Sequence, residues 1–553
     1  MKKLSFLFLL FASCFTWAQS PVLPHLERSN NRTQLMVYGK PFLILGGELH
    51  NSSTSTSTYM QPIWEQMKKK NLNTVLAPVY WELLEQEEGH FDFKLIDSML
   101  AGARKQHLHL IILWFASWKN GYSTYVPSWV KNNNDKYPRA KDENGKSLQQ
   151  LSTFGEATAE ADARAFKALM KHIGQVDAKQ QTVIMAQIEN EVGLFYTPRD
   201  HIDAAKKAYN STVPTDLMQY LTAYKGKLQP ELDSVWKANG YKTSGTWEEV
   251  FGKSIADKTN WQTLSYLTEE LFTVYQYAKY MGKVAAAGKE VYPIPMYVNA
   301  WLKQHLTPMP GEYPSGGPTP HTLDVWRATA PAIDFISPDI YVPDVIYTVE
   351  QYHRKGNPIF IPEFKPGFAS ANQAFWILGQ DDAIGFSPFG IDESTPEEDP
   401  VTKTFAALKQ VSGLLLQHQG KGTMKGIFVD SINPKQTFEL GGYRVDAQLV
   451  GPIIAGGILI STGKDEFIAI GKDYDISFTP LQQDGKTLDV EYLDEGTFVN
   501  DKWVTTRRLN GDEGTGGGDY GFGFKKGNSA ALRFQPSPKG DYRIVRFKIY
   551  TYR

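Results

Sequence analysis

The chain has 553 residues, 42% of them hydrophobic and 21% charged, with a formal net charge of −2. That length calls for a large domain plus at least one smaller one. So even a charge balance offers no field for nucleic acid or an anionic membrane surface, and neither partner is expected.

The N-terminus, MKKLSFLFLLFASCFTWAQS, has a basic start at Lys2 and Lys3, an apolar stretch from Leu4 to Phe15, and small residues before Gln19. This is the pattern of an export signal over residues 1–18, too short to span a membrane. The single cysteine, Cys14, lies inside it. Cleavage after Ala18 leaves a cysteine-free chain; a lipobox-like reading of Phe11-Ala12-Ser13-Cys14 makes Cys14 a lipid anchor. Phe11 stands where such boxes prefer Leu, which favours simple export to the periplasm or medium. No disulfide is expected either way, and no later apolar run is long enough to cross a membrane.

From residue 30 short apolar runs alternate with amphipathic stretches, the pattern of an α/β domain with parallel strands. Strands are predicted at 42–48, 73–82, 109–115, 183–191, 295–301, 333–341, 358–364 and 383–389, with a closing helix over 401–417. Eight such units predict a (β/α)₈ TIM barrel over 30–418. An open doubly wound sheet would want a glycine-rich phosphate loop after its first strand, and Gly46-Gly47 does not supply one. Residues 194–290 exceed what one helix needs and predict a helical elaboration over the barrel mouth. The Pro/Gly stretch 308–320 reads as a solvated connector or a rim facing substrate. From 420 to 553 the texture becomes short strands and turns, with a glycine-rich loop at 511–523: a β-sandwich-like accessory domain. All the strand-end carboxylates precede residue 400, so this domain is expected to brace the barrel rather than supply chemistry.

Those strand ends carry the chemistry, because the C-terminal ends of barrel strands line the site in this architecture. Glu48, Glu82, Trp114, Glu191, Asn299, Tyr341 and Glu363 sit there in turn. The 11 histidines form no H-E-x-x-H or similar spacing, so no metal is expected. A P-loop and a G-x-S-x-G elbow are absent, and no cofactor is called for. What remains is carboxylates, which suits glycoside hydrolysis by one acid/base and one nucleophile.

In Met185-Ala186-Gln187-Ile188-Glu189-Asn190-Glu191-Val192-Gly193, alternation puts Ile184, Ala186 and Ile188 on one face and Gln187, Glu189 and Glu191 on the inward one. Parity leaves the two glutamates equivalent. Depth favours Glu191, nearest the mouth, and makes Glu189 a structural carboxylate.

Gln187-Ile188-Glu189-Asn190-Glu191-Val192-Gly193 closely resembles the Q-[VI]-E-N-E-Y-G signature of glycoside hydrolase family 35, β-galactosidases within a large clan of retaining (β/α)₈ glycosidases. The resemblance implies Glu191 as acid/base and Asn190 as a contact to the hydroxyl beside the anomeric carbon. Ile361-Pro362-Glu363-Phe364 matches the nucleophile position at the end of strand seven, which implies Glu363. Asn73-Thr74 to Trp81, Glu85, and Gly89-His90-Phe91-Asp92-Phe93 resemble a second family segment, which adds Glu85. The resemblance spans roughly residues 35–415. Glu82 and Leu84 replace the usual Asn and His, and strand three lacks the common R-x-G-P-Y-I-x-A-E-W run. The family's sugar contacts from strands two and three are therefore not transferred. The chain looks like a divergent bacterial branch with a β-rich C-terminal domain, linked to plant-polysaccharide galactosides. The clan often carries a tyrosine beside the nucleophile, the place of Tyr341. Asn299, Trp118 and Trp301 join the substrate-binding set on strand-end position, with core packing as the competing role for the tryptophans.

These readings converge on an exported retaining exo-β-galactosidase acting on a carbohydrate substrate. Its rivals are another activity of the clan, β-glucosidase or β-mannosidase, and a non-catalytic carbohydrate-binding barrel, which would not require both Glu191 and Glu363.

Overall fold

Eight parallel strands close on themselves in chain order: β1 Ile44–Glu48, β2 Thr74–Tyr80, β3 His109–Lys119, β4 Val183–Asn190, β5 Met296–Trp301, β6 Phe335–Ile340, β7 Ile359–Phe364 and β8 Ala383–Pro388. The computed structural model describes residues 22–29, 31–253, 268–304, 309–354, 356–380, 382–451, 453–482, 485–509, 522–525, 529–534 and 541–553. The N-terminal stretch with Cys14, most of the glycine-rich loop, and residues 261–267 of the insertion lie outside them. Among the described residues no helix is long and apolar enough to cross a membrane.

The barrel strands are almost wholly buried. Both faces must be apolar, which is why they read as continuous aliphatic and aromatic runs. Ile44, Leu76, Ile111, Leu113, Phe115, Tyr297, Phe335 and Phe360 fill the interior. The strand Arg32–Val37 sends Leu35 and Val37 into the same cluster and stoppers the N-terminal end. The lower lumen is thus filled by apolar and aromatic side chains, with the carboxylates at the strand ends above them.

Strand four departs from simple alternation. Leu110 pairs with Val183 but Ile111 with Met185, so one extra residue is accommodated on β4. Ile184 and Met185 consequently both join the interior cluster, while Ala186 and Ile188 pack outward. The expected grouping of Ile184 with Ala186 and Ile188 is corrected: a β-bulge shifts the parity.

The insertion forms helices Asp203–Tyr209, Thr215–Ala223, Pro230–Ala238 and Trp247–Phe251, ahead of the barrel helix Thr268–Lys289. The Tyr220 hydroxyl and the Gln229 N–H donate to Asp324 on the helix Leu323–Thr329, and Trp247 packs edge-on against Phe272. These contacts seat the insertion on the helices that follow β4 and β5.

After the helix Val401–His418 come, among the described residues, eleven strands: β9 Met424–Asp430, β10 Lys435–Leu440, β11 Tyr443–Leu449, β12 Ile454–Gly463, β13 Glu466–Gly471, β14 Tyr474–Pro480, β15 Thr487–Val499, β16 Lys502–Arg508, β17 Phe522–Lys525, β18 Ser529–Phe534 and β19 Arg543–Tyr552. They form two antiparallel sheets, β9-β12-β13-β19-β15-β16 and β10-β11-β14-β18-β17. Val445, Ile476 and Phe478 from one sheet meet Leu459, Phe467 and Phe547 from the other in a shared core. On the far side of β12, Ile458 and Ile460 join the barrel's core cluster instead. The sandwich docks on the helix Phe368–Leu378, which follows β7. A Cβ on Gly456 would stand 2.1 Å from the Asn372 carbonyl oxygen, and one on Gly426 2.4 Å from that of Trp376. Only glycine permits backbones to approach this closely.

Candidate active site

The tip of β4 is bent by two residues in the left-handed region, Glu189 at φ +56° and Glu191 at φ +46°. Such a conformation costs a non-glycine residue of order 1–3 kcal/mol and persists where surroundings over-determine it. The bend turns Glu189 away from the lumen. Its carboxyl accepts hydrogen bonds from the N–H groups of Ala116 (3.1 Å), Ser117 (3.0 Å) and Trp118 (2.8 Å). Beside it Asp162, on the helix Glu156–Asp177, accepts from Trp114 Nε1 and Ser117 Oγ. Burial and the neighbouring Asp162 push Glu189 well above the usual carboxylate range. Glu189 is a brace between β3, β4 and the outer helix. The expected sharing of one inward face by Glu189 and Glu191 is corrected, because the backbone reverses between them.

Glu191 instead meets two other carboxyls. One carboxylate oxygen each of Glu191, Asp339 and Glu363 lies within 4.8 Å of the other two. Pairing of Asp339 with Glu363 across β6 and β7 puts the last two side by side. Asn299 ties the group together: its Oδ1 accepts the Glu191 N–H (2.9 Å) and its Nδ2 donates to Asp339 (2.6 Å). The Tyr341 hydroxyl donates to Glu363 Oε1 at 2.5 Å, and Oε2 has no partner among the described residues. Burial, then the charge of Glu363, raises Glu191 to about 8, against an opposing pull from Lys119. Burial and the carboxylates of Glu363 and Glu191 push Asp339 well up too. A cleft with one cation and several carboxylates favours protonated carboxyls.

Around this centre several buried polar atoms have no hydrogen-bond partner among the described residues: both amide atoms of Asn190, Asp339 Oδ1 and both oxygens of Glu48. Buried polar groups are normally satisfied, so a cluster of orphans marks where a polyhydroxylated ligand would be received. Asp339 and Lys119 were not among the sequence's candidate site residues, and Glu48 was named there only as a strand-end carboxylate without a role. Parity could have found Asp339, since it shares its strand face with Tyr341.

Two other expectations resolve differently. Glu85 is fully buried, held by Trp81 Nε1 (2.8 Å), the Gly89 N–H (2.7 Å) and Arg164 on the outer helix (3.3 Å). Its expected substrate contact is corrected: its carboxylate already serves a structural knot outside the lumen. Trp118 is fully buried against Tyr277 and Tyr280 of the helix Thr268–Lys289, so it is core rather than a sugar platform. Trp301 is half-buried at the mouth and meets Phe195 edge-on, with Phe195 stacked on Tyr122. The three form a rim at the mouth; Phe195 and Tyr122 lie in loops whose patterning carried no signal.

The trio Glu191, Asp339 and Glu363 is the one grouping among the described residues whose donors could converge on a cation. Carboxylates alone would suit a hard cation such as Mg²⁺ or Ca²⁺.

Residues 34–285 match Glycosyl hydrolases family 35, and residues 401–518 match a domain of unknown function, DUF5597. The matched segment 34–285 holds β1 to β4, and with them Glu48 and the Asn190-Glu191 pair. Among curated proteins, the chain is 27% identical over 170 residues to a beta-galactosidase of Xanthomonas manihotis, covering 30% of this chain and 26% of that protein. It is 27% identical over 177 residues to beta-galactosidase-1-like protein 3 of Mus musculus, covering 31% and 25%. The matched segments span only about a quarter of those relatives' length. In fold, the chain is similar to Gan42B, a GH42 beta-galactosidase from G. stearothermophilus, with a TM-score of 0.51 at 11% identity over 92% of this chain and 98% of that one.

Proposed function

We propose that this protein is a retaining exo-β-galactosidase. The observation that carries the reading is the close approach of Glu191 and Glu363, with oxygens within 4.8 Å. Retaining glycosidases hold their carboxyl groups about 5–5.5 Å apart, inverting ones about 6.5–9.5 Å to admit a water. In this reading Glu363 Oε2, the oxygen that Tyr341 does not occupy, attacks the anomeric carbon. The bond to the leaving oxygen breaks as Glu191 donates its proton there. Glu191, now a carboxylate, takes a proton from water as that water attacks the glycosyl-Glu363 ester and frees the enzyme. A Glu191 raised to about 8 starts the cycle protonated at neutral pH, as a general acid must. Asn190, with both amide atoms open, supports a contact to the hydroxyl beside the anomeric carbon.

Galactose as the sugar is supported by the family-35 match and by the names of the relatives. Export is supported by the charged and apolar pattern of residues 1–18, and plant cell-wall galactosides are the substrates we propose. Purified protein on a panel of nitrophenyl β-glycosides tests the assignment. The β-galactoside should be turned over fastest, with the β-anomer of galactose appearing first by proton NMR. Preference for a β-glucoside or β-mannoside would move the activity elsewhere in the clan. Binding without turnover of any of them would make the barrel a carbohydrate-binding protein.

A further inference from the structure

Glu48 closes β1, and the two-step chemistry above gives it no task. It is completely buried, and neither carboxylate oxygen has a hydrogen-bond partner among the described residues. A carboxyl placed so is costly unless a ligand completes it. Its direction follows from its own strand. Ile44 packs in the barrel interior, and a Cβ on Gly46 would meet Ser387 Oγ across the lumen side of β8. Residues two apart share a face, so Glu48 stands directly above them, pointing inward. Its electrostatic neighbours are Glu363, Lys119 and Glu191, which places it in the same cleft.

Position around the barrel then decides what it meets. Glu191 on β4 and Glu363 on β7 bracket the anomeric carbon, and Asp339 and Tyr341 fill the arc between them. The sugar ring must extend over the other arc, β8-β1-β2-β3. Within that arc Glu48 offers two open acceptor oxygens, while Lys119, over the Phe115 ring, is a donor. The edge of a pyranose farthest from C1 is C3–C4. Two hydroxyls on adjacent carbons can bond to the two oxygens of one carboxyl group. Resting on the galactosidase reading, we infer that Glu48 is the receptor for the O3–O4 edge of the bound galactosyl ring and so a determinant of sugar specificity.

The test measures kcat/KM for an aryl β-galactoside and its 2-, 3-, 4- and 6-deoxy analogues with wild type, Glu48→Gln and Glu48→Ala. Each penalty is a ratio taken within one protein, so a loss of folded fraction cancels. Glu48→Gln keeps the side-chain volume should the alanine variant not fold. Wild type should lose at least about tenfold on the 3- and 4-deoxy substrates, the scale of leaving a buried hydrogen-bonding group unsatisfied. In Glu48→Ala those two penalties should shrink to within about threefold, while the 2-deoxy penalty persists; Glu48→Gln should shrink them in part. Unchanged 3- and 4-deoxy penalties in both variants would overturn the inference, as would a collapse confined to the 2- or 6-deoxy substrate. Wild type inactive on the parent galactoside would instead refute the functional reading itself.

Discussion

Replacing Glu363 by Gln removes one negative charge beside Glu191 while keeping the side-chain shape. Glu191 is raised to about 8 first by burial, then by Glu363, with Lys119 pulling the other way. The carboxylate oxygens lie within 4.8 Å. Two unit charges at that separation repel by roughly 1.7–3.5 kcal/mol for effective dielectrics of about 40 to 20. That corresponds to roughly 1.3–2.5 pH units. The sign is fixed: losing the negative neighbour favours ionised Glu191, so its titration moves down. Because burial is the larger cause and is untouched, it should stop above the ordinary carboxyl value. Carbon-13 NMR of carboxyl-labelled glutamate, assigned by difference against Glu191→Gln, follows the titration directly. In wild type the same group should appear as an alkaline limb of kcat/KM near pH 8 for substrates with poor leaving groups. A Glu191 titration that does not move in Glu363→Gln would refute the electrostatic coupling between the two carboxyls.

Three further perturbations follow from single contacts. Tyr341→Phe deletes the donor to Glu363 Oε1 and should lower kcat about 10- to 150-fold with little change in KM, the worth of a hydrogen bond to a charged group; unaltered initial rates would show that the bond plays no part. Glu189→Gln removes one acceptor oxygen from three N–H groups and should destabilise by about 1–3 kcal/mol in denaturant unfolding; the folded fraction should keep its activity, and an inactive variant of normal stability would mean that Glu189, not Glu191, carries the chemistry. Gly456→Ala drives a methyl against the Asn372 carbonyl and should cost about 1–3 kcal/mol; an unshifted melting temperature would show that the sandwich does not dock there in solution.

The barrel was legible because each of its strands is buried on both faces, leaving unbroken apolar runs that helices and loops do not produce. The sandwich was half legible. Lys435–Leu440, Lys-Gln-Thr-Phe-Glu-Leu, is exposed or half-exposed at all but its last position, so it offers no apolar run to read. At the site, Glu191 and Glu363 were singled out because strand-end position and a family motif agree on them, and the structure brings their carboxyl groups together. The reason Glu189 differs from Glu191 was not legible. It lies in a bulge at Ile184 and a left-handed backbone at Glu189 and Glu191, neither of which hydrophobic patterning reports. Glu85 misled because a carboxylate just past a strand end looks alike whether it faces the lumen or, as here, caps a turn beneath Trp81 and Arg164.

The account stands most directly on one covalent bond. A 2-deoxy-2-fluoro-β-galactoside with a dinitrophenyl leaving group should inactivate the protein with one 2-deoxy-2-fluorogalactosyl group per chain, because the fluorine slows both steps while the good leaving group restores only formation of the ester. Peptide mapping by mass spectrometry should then place the label on Glu363, within Ile361-Pro362-Glu363-Phe364. A label on Glu191 or on any other residue, or unlabelled protein that releases the sugar with inverted configuration, would contradict the assignment of Glu363 as nucleophile and Glu191 as acid/base.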